Sequence, residues 1–493
     1  MLSITGSKLY FILAGYSVQL LLPVLLGSPE AFGLYASAMS LVSIINNVLI
    51  VATIQTVSHQ VSATEATGTP PLRQALFIQS CLGGLLAGCL FGSAPLLASH
   101  VLLDPLLTPL LRTASIVVLC YAIYAALIGY LNGQQAFQRQ ATLDLTYTTL
   151  RTAGILGAAA LGYGVHGSIT GFALAAVLVL FLAFVMIGRG APHMQVPYQR
   201  WLGFMAPVFF YHLCLNLSLQ LDLTLLKRSV ADLAQASDYT PAAAAELASR
   251  YAGFYRGAQT FSFVPYQLIL SVAFVVFPMI SHATSMGDSA TARSYIRNTL
   301  RFSMLVLCAI AAPVSGASGG VLRIAYPEAY LAAADALSIL APGMACFALF
   351  VVSATILTGA GLPLVAAGIA LLSVLCVVTC NLTFVYANGL NDQVMWAAAS
   401  GTCVGTCVAL GLAGAVVYRR FGAFLNPLSS ARILVAASVG FFVARNTPHA
   451  TLVGALLALV AGGLAYLVAL ALVRELGQED LQAVRAIIAK RSR

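Results

Sequence analysis

Two arginines and an aspartate lie within long apolar stretches of this sequence. Arg151 belongs to the segment TLRTAGILG, Asp222 to the segment LSLQLDLTLL, and Arg256 follows a Gly-Phe-Tyr motif. A charge at the centre of a bilayer costs at least ~2.5 kcal/mol, and such residues usually face a helix-bundle interior or a water-filled cavity. The planar guanidinium group of arginine binds phosphate oxygens in bidentate fashion. These residues therefore predict a positively charged cavity for an anionic group, lined by the helices that carry Asp222 and Arg256.

Four more polar residues lie within or at the ends of apolar stretches. Asn46 and Asn47 lie within the second stretch, Asp144 near the start of the fifth, and Lys227 at the end of the seventh. The side chains that we assign to substrate binding are Arg151, Arg256, Asn46, Asn47 and Lys227. The carboxylates that we assign to ion coupling are those of Asp222 and Asp144.

A purely structural explanation exists for the same residues. Asp222 and Arg256 form an ion pair if their two helices pack together, and Arg151 is long enough to snorkel towards water. Hydrogen bonds between helices explain Asn46 and Asn47 equally well. The sequence leaves both explanations open.

The elements that must position these side chains are membrane-spanning helices. The chain has 493 residues, of which 60% are hydrophobic and 8% charged, and its mean hydropathy is +0.93. Repeated apolar runs of about 20 residues, of which we count about fourteen, are typical of an all-α polytopic membrane protein. The eighth run is predicted to form a single span over 251–281, with Pro265 about midway. Most of the 24 Lys and Arg residues fall in cytoplasmic segments if the N-terminus is cytoplasmic. The positive-inside rule therefore favours cytoplasmic N- and C-termini.

Several classes of function are disfavoured by what the sequence lacks. It has no G-x-x-x-x-G-K-[ST] motif of a P-loop ATPase, no H-E-x-x-H motif and no G-x-S-x-G motif. All ten cysteines lie in apolar runs. The pairs Cys376/Cys380 and Cys403/Cys407 have i,i+4 spacing, but no His, Asp or Glu lies on their spans, so the cysteines are predicted to be small buried apolar residues rather than metal ligands. The net charge of +9 is explained by cytoplasmic loops rather than by nucleic acid. We therefore predict no enzyme activity, no metal site and no nucleic-acid partner.

Two short motifs each occur twice at similar spacing. Gly33-Leu-Tyr opens the second apolar run and Gly253-Phe-Tyr the eighth, while Leu131-Asn-Gly closes the fourth and Leu357-Thr-Gly the tenth. A duplicated unit of six helices predicts two parallel lobes with the substrate site between them. The predicted parts of the chain are an N-lobe (1–195), a C-lobe (196–420), two further helices (421–474) and a basic amphipathic cytoplasmic tail (475–493).

These motifs resemble those of the polysaccharide flippases in the multidrug/oligosaccharidyl-lipid/polysaccharide (MOP) exporter superfamily. The resemblance rests on Asp222 in the seventh run, on the motif at Gly253, and on three segments: GYLNGQQAFQRQ (129–140), FPMIS (277–281) and YLAAADAL (330–337). It covers nearly the whole chain. It implies the MOP fold and transport of a polyprenyl-diphosphate-linked oligosaccharide to the outer leaflet of the bacterial cytoplasmic membrane by alternating access. It also implies coupling to a Na⁺ or H⁺ gradient without a cofactor, membrane lipids as surroundings, and polysaccharide polymerase and glycosyltransferases as partners.

The sequence departs from the family pattern in two respects, and these leave three alternative functions open. The predicted loop 229–250 is long and alanine-rich, and intramembrane cations are few compared with those of lipid II flippases. The alternatives are a lipid II-type flippase, a cation-coupled drug or metabolite antiporter, and a membrane polysaccharide polymerase or ligase. In the predicted N-lobe, the acid that we assign to ion coupling is Asp144, and its position near a span end disfavours the antiporter. The loop 229–250 lacks histidine, which disfavours the polymerase.

Overall fold

The computed structural model describes residues 2–64, 71–188, 196–286 and 288–475, and within them the chain is helical without β-strands, which confirms the predicted all-α class. The first eight helices are α1 (Leu2–Leu26), α2 (Pro29–Thr64), α3 (Leu72–Leu96), α4 (Leu107–Gly133), α5 (Phe137–Ala160), α6 (Gly164–Ile187), α7 (Tyr198–Ala236) and α8 (Pro241–Ser262). The next eight are α9 (Val264–Ser285), α10 (Ser289–Gly316), α11 (Ser318–Ala325), α12 (Ala334–Gly359), α13 (Pro363–Asn388), α14 (Val394–Phe421), α15 (Pro427–Asn446) and α16 (Leu452–Leu472). Of the predicted tail 475–493, all but Glu475 lies outside the described residues.

Eleven helices in the described ranges are long and apolar enough to cross a membrane, so the chain is a multi-pass membrane protein. They are α2, α3, α4, α6, α7, α10 and α12 to α16. The apolar part of α1 is shorter and spans Tyr10–Leu26. Helix α5 carries Asp144, Arg151 and several threonines, which lower its hydropathy. The count of about fourteen spans therefore stays a prediction.

The predicted loop 229–250 is wrong, because most of these residues are helical. Helix α7 continues to Ala236 and α8 begins at Pro241, so residues 237–240 form the whole connection. Alanine is the strongest helix former, and proline is favoured at the first helical position. The Thr240 hydroxyl accepts a hydrogen bond from the Ala243 amide at 3.3 Å and completes this helix start. The alanine-rich composition that marked this segment as unusual is what makes it a helix.

The prediction of a single membrane span over 251–281 is also wrong, because the chain forms two helices there. Helix α8 ends at Ser262 and α9 begins at Val264. Proline has no backbone N–H and its ring clashes with the preceding turn, so it is tolerated best in the first turn of a helix. Pro265 occupies that position in α9. Pro265 therefore marks the start of a new helix rather than the middle of one long helix.

The chain divides into two compact units, which we call the first and second units. The first comprises residues 1–257 and 377–398, and the second comprises residues 258–376 and 399–493. These boundaries differ from those of the predicted lobes, which stay a prediction. In the first unit α2 packs against α4 and α7, and α5 packs against α1 and α6. In the second unit α10 packs against α9, α12, α15 and α16.

The prediction that the cysteines are buried is wrong for three of the ten, which are exposed. Cys120 and Cys214 are buried, but Cys81, Cys89 and Cys407 are exposed on helix surfaces. The physical reason is that a helix face turned towards lipid is as apolar as a protein core, so hydropathy does not distinguish them. In the second unit the sulfurs of Cys346 and Cys407 lie 3.6 Å apart.

The repeated glycine motif forms one close contact between α2 and α8 in the first unit. A Cβ atom on Gly33 would overlap the carbonyl oxygen of Ser249, and a Cβ atom on Gly253 would overlap the carbonyl oxygen of Pro29. The two helices thus approach backbone to backbone, which only glycine permits. The motif that suggested a duplication therefore allows α2 and α8 to pack closely.

Replacing Gly253 by alanine is expected to destabilise the protein by about 1–3 kcal/mol, because backbone atoms cannot give way as a flexible side chain can. The measurement is the apparent unfolding temperature of the purified protein. A matched control is Gly84→Ala on α3, where a Cβ atom meets nothing within 4 Å. Equal unfolding temperatures for the two variants would contradict the close approach.

Candidate functional site

A cavity of about 260 Å³ lies within the first unit, between α1, α2, α4, α5 and α6. Its aromatic lining consists of Phe11, Tyr121, Tyr124, Tyr147 and Phe172. Its polar lining consists of Ser43, Asn46, Asn47, Asp144 and Arg151. The cavity therefore combines apolar ring faces with one cation, one acid and two amides.

Helix α5 supplies both charged residues of the cavity. Asp144, Tyr147 and Arg151 follow one another at intervals of three and four residues, the spacing that places side chains on one face of a helix. Because α5 packs against α1 and α6, this face points inward rather than towards lipid. Asp144 and Arg151 are separated by roughly 10 Å along the helix axis at ~1.5 Å per residue.

The Arg151 guanidinium is held against aromatic side chains. Its central carbon lies 5.2 Å from the centre of the Phe172 ring, within the range of a cation–π contact. The Tyr147 hydroxyl is its polar neighbour on α5. The Nε atom of Arg151 is buried and has no hydrogen-bond partner among the described residues. This arginine lines the cavity and has unused donor capacity there.

Four rings form what we call the aromatic cluster: Tyr121, Tyr124, Tyr147 and Phe172. The Tyr121 ring lies 5.2 Å from Tyr147, 6.2 Å from Tyr124 and 5.9 Å from Phe172, measured between ring centres. The Tyr121 and Tyr147 rings meet edge to face, the arrangement that aromatic pairs prefer. The cluster fixes the shape of the cavity, because each ring is held by its neighbours.

Like Arg151 Nε and the Tyr124 hydroxyl, two further polar groups at the cavity are buried without hydrogen-bond partners in the described ranges. The Tyr121 side chain is 4% exposed, and its hydroxyl oxygen has no hydrogen-bond partner among the described residues. Asn46 is 6% exposed, and its Oδ1 atom is likewise unpaired within those residues. Buried polar groups are rarely left unsatisfied, and each exception needs an explanation such as water or a ligand. Both groups line the cavity.

Asn47 lines the same cavity and also connects α2 to α7. Its Nδ2 atom donates a hydrogen bond to Oδ1 of Asn216 at 3.0 Å, and Asn216 in turn donates to the His212 carbonyl at 2.9 Å. This bond is the interhelical one that the structural explanation predicted. Asn46, its neighbour, has an acceptor with no partner among the described residues, so the two asparagines have different surroundings.

Arg256 and Asp222 lie on α8 and α7 in the first unit. The Arg256 guanidinium donates hydrogen bonds to Gln19 and Gln220, each at 3.4 Å. The Asp222 carboxylate accepts a hydrogen bond of 2.9 Å from the Tyr255 hydroxyl. Neither residue belongs to the lining of the described cavity. The assignment of both to substrate or ion binding stays a prediction.

Lys227 lies in a buried ion pair away from the cavity. Its Nζ atom is 2.7 Å from Oδ2 of Asp104, and these side chains are 0% and 2% exposed. The Ser249 hydroxyl donates to the same oxygen at 3.2 Å, and the Leu106 amide donates to Asp104 Oδ1 at 3.1 Å. Lys227 thereby links α7 to the segment before α4 and to α8. The sequence analysis did not single out Asp104, because an Asp-Pro pair is typical of a turn.

The structure thus brings Arg151, Asn46, Asn47 and Asp144 together and places Arg256, Asp222 and Lys227 elsewhere in the first unit. The aromatic cluster was missed by the sequence analysis. Its signal was the spacing of Tyr121 from Tyr124 and of Tyr147 from Arg151, which repeats the helical period. In the described ranges, no group of three His, Cys, Asp or Glu side chains could hold a metal ion.

Comparisons with known proteins identify the family of this chain and its fold. A family model described as polysaccharide biosynthesis protein matches residues 24–335, which is more than half of the chain. The lipid II flippase MurJ, in an inward closed conformation, has a similar structure with a TM-score of 0.73 at 15% identity, over 95% of this chain and 98% of that one. A search of curated protein sequences gives no match.

Two other solved structures show the same likeness. A multidrug resistance MATE family transporter of the MOP superfamily, facing inward, gives a TM-score of 0.67 at 14% identity, over 84% of this chain and 94% of that one. A MOP superfamily transporter from Pyrococcus furiosus, described as having a binding pocket of reverse polarity, gives a TM-score of 0.60 at 15% identity, over 85% of this chain and 95% of that one. At these identities the likeness establishes the fold. The chain belongs to the polysaccharide biosynthesis protein family and has the fold of the MOP superfamily transporters, which confirms the resemblance stated from its motifs.

Proposed function

We propose that this protein is a flippase that moves a polyprenyl-diphosphate-linked oligosaccharide from the inner to the outer leaflet of the bacterial cytoplasmic membrane. The observation that carries the proposal is the position of Arg151, a cation that lines a cavity among apolar helices. The family match to polysaccharide biosynthesis proteins supports a glycan as cargo. Alternating access is the mechanism, and both chain termini are cytoplasmic.

The physical task of such a transporter is to take a diphosphate and a polar glycan through an apolar layer. Moving an isolated ionised group out of water into an apolar medium costs tens of kcal/mol by Born solvation. A guanidinium that is already held in place offsets part of this cost, because charge-assisted hydrogen bonds are roughly twice as strong as neutral ones. Arg151 fulfils this role because its contacts with Phe172 and Tyr147 fix its position while its Nε remains unpaired in the described structure.

Ion coupling is the second part of the proposal. Asp144 lies in the same cavity as Arg151, and Asp222 lies on α7. A Na⁺ ion or a proton bound at either carboxylate changes the charge of the first unit, and such a change can drive transport against a gradient. The family and fold are those of transporters, and the proposal accordingly includes no enzymatic step.

Depletion of the protein in its native cell tests the proposed function. We expect a lipid-linked oligosaccharide to accumulate in the inner leaflet and the surface polysaccharide to decrease, because synthesis continues while transfer stops. The measurement is extraction and mass spectrometry of polyprenyl-linked glycans, combined with labelling of the outer leaflet by a membrane-impermeant reagent. Accumulation of a peptidoglycan precursor instead would assign the protein to the lipid II class. Unchanged lipid-linked glycans would refute the proposal.

A further inference from the structure

The cavity in the first unit has features that binding of phosphate alone does not require. Its volume of about 260 Å³ is just below the range of ~300–1,000 Å³ that is typical of pockets for drug-sized ligands. All four side chains of the aromatic cluster line the cavity, and rings of this kind contribute nothing specific to phosphate binding. The cavity therefore has space for one small ring-shaped group in addition to an anionic oxygen.

The faces of aromatic rings carry partial negative charge, which attracts weakly positive C–H bonds. A sugar ring in its chair form presents a row of such C–H bonds on its face and hydroxyl groups around its rim. The aromatic cluster offers ring faces, and Asn46 Oδ1, the Tyr121 hydroxyl and the Asp144 carboxylate offer acceptors for the hydroxyls. A bound sugar thereby explains why Asn46 Oδ1 and the Tyr121 hydroxyl are buried at the cavity without partners among the described residues.

Charge in the cavity is arranged along one axis. Arg151 and Asp144 lie on the same face of α5, roughly 10 Å apart along the helix at ~1.5 Å per residue. This distance is suited to a ligand with an anionic group at one end and hydroxyl donors at the other. A free diphosphate would bring negative charge towards Asp144, and a cationic drug would bring positive charge towards Arg151. Because like charges repel, both are less suitable ligands for this cavity.

We propose that this cavity binds one pyranose ring of the carried glycan together with the anionic group attached to that ring. Arg151 binds the anionic oxygen, the aromatic cluster stacks on the ring face, and Asn46, Tyr121 and Asp144 accept hydrogen bonds from its hydroxyls. The anionic group is either the phosphate at the sugar's first carbon or a carboxylate of an acidic sugar. This inference rests on the proposed flippase function and identifies which part of the substrate the first unit recognises.

The experiment is titration calorimetry on the purified full-length protein in lipid nanodiscs. The probes are three hexose 1-phosphates (of glucose, galactose and mannose), glucuronate, the corresponding neutral sugars, and inorganic pyrophosphate. We expect at least one ring-bearing anion to bind about tenfold or more tightly than its neutral sugar and than pyrophosphate, since a charge-assisted contact of ~1.4 kcal/mol is a factor of ten. Comparison of the 1-phosphates with glucuronate distinguishes the two sources of the anionic oxygen.

Variants assign the roles of the individual residues. Arg151→Gln should weaken the ring-bearing anion about tenfold and leave neutral sugars unchanged. Tyr121→Leu should weaken all ring-bearing probes, whereas Tyr121→Phe, which keeps the ring and loses the hydroxyl, should weaken them only a few-fold. The matched control is Arg112→Gln, because Arg112 is exposed and lies over Phe91 at the same 5.2 Å. Apparent unfolding temperatures identify any variant that fails to fold.

Three outcomes would overturn this inference. They are that pyrophosphate binds as tightly as every ring-bearing anion, that Tyr121→Leu folds and binds all probes like the wild type, or that no sugar probe binds. If Arg151→Gln abolishes glycan transport while no sugar probe binds, the flippase function is supported and the sugar site is refuted. If depletion leaves lipid-linked glycans unchanged, the flippase function itself is refuted, whatever the probes show.

Discussion

Transport of the lipid-linked glycan is expected to fall about 10- to 100-fold when Arg151 is replaced by glutamine. Hydrogen bonds to charged groups contribute about 1.5–3 kcal/mol net, and each ~1.4 kcal/mol corresponds to a factor of ten. Glutamine retains a donor but removes the positive charge over Phe172. Arg151→Lys should retain partial transport, because lysine keeps the charge without the planar fork. The measurement is restoration of surface polysaccharide in a strain that lacks the native gene.

Two controls separate a transport defect from a folding defect. The amount of each variant in the membrane fraction must match that of the wild type. Arg112→Gln should restore surface polysaccharide fully, because this exposed arginine makes the same contact with a phenylalanine ring outside the cavity. Full transport by Arg151→Gln would rule out a role for the cavity cation, and a defect in Arg112→Gln of equal size would indicate a general effect of lost charge.

Lys227→Met is expected to lower the free energy of unfolding by about 3–5 kcal/mol, because it leaves the Asp104 carboxylate buried without its cation. Both side chains are almost fully buried, and Asp104 also accepts hydrogen bonds from Ser249 and from the Leu106 amide. The measurement is the apparent unfolding temperature together with the yield of folded protein. If Lys227 binds substrate instead, the variant should fold normally and lose transport.

A double variant distinguishes the loss of the ion pair from the loss of the Lys227 side chain itself. Asp104→Asn combined with Lys227→Met removes both charges and keeps an oxygen for the Leu106 amide, so most of the stability should return. The control is Arg250→Met, which breaks the ion pair between Arg250 and Glu30. That pair is partly exposed, with Arg250 48% exposed, and exposed pairs typically contribute ~0–1 kcal/mol. A double variant as unstable as Lys227→Met would contradict the explanation.

The all-helical membrane architecture was predictable from the sequence, because hydropathy measures what a bilayer requires of a helix. The ends of the helices were less predictable at two places. The lower hydropathy of residues 229–250 predicts a loop, yet alanine favours a helix without regard to burial. Pro265 was placed within one span, yet the missing N–H of proline makes it the start of α9.

Part of the cavity was predictable for a similar reason. Arg151, Asp144, Asn46 and Asn47 are conspicuous because polar groups are costly in an apolar span. The aromatic cluster is not conspicuous, because tyrosine and phenylalanine are common in membrane helices and only the packing of α4, α5 and α6 brings their rings together. Lys227 was conspicuous, but its partner Asp104 lies far from it in sequence and no local pattern connects them.

The contact between Gly33 and Gly253 has an evolutionary consequence. If the two motifs descend from one ancestral copy, each copy now forms the surface on which the other rests. Neither can accumulate changes independently, since a bulkier residue in one would require a shift in the opposite backbone. Selection would then keep these two short segments alike long after the surrounding repeats had diverged beyond recognition.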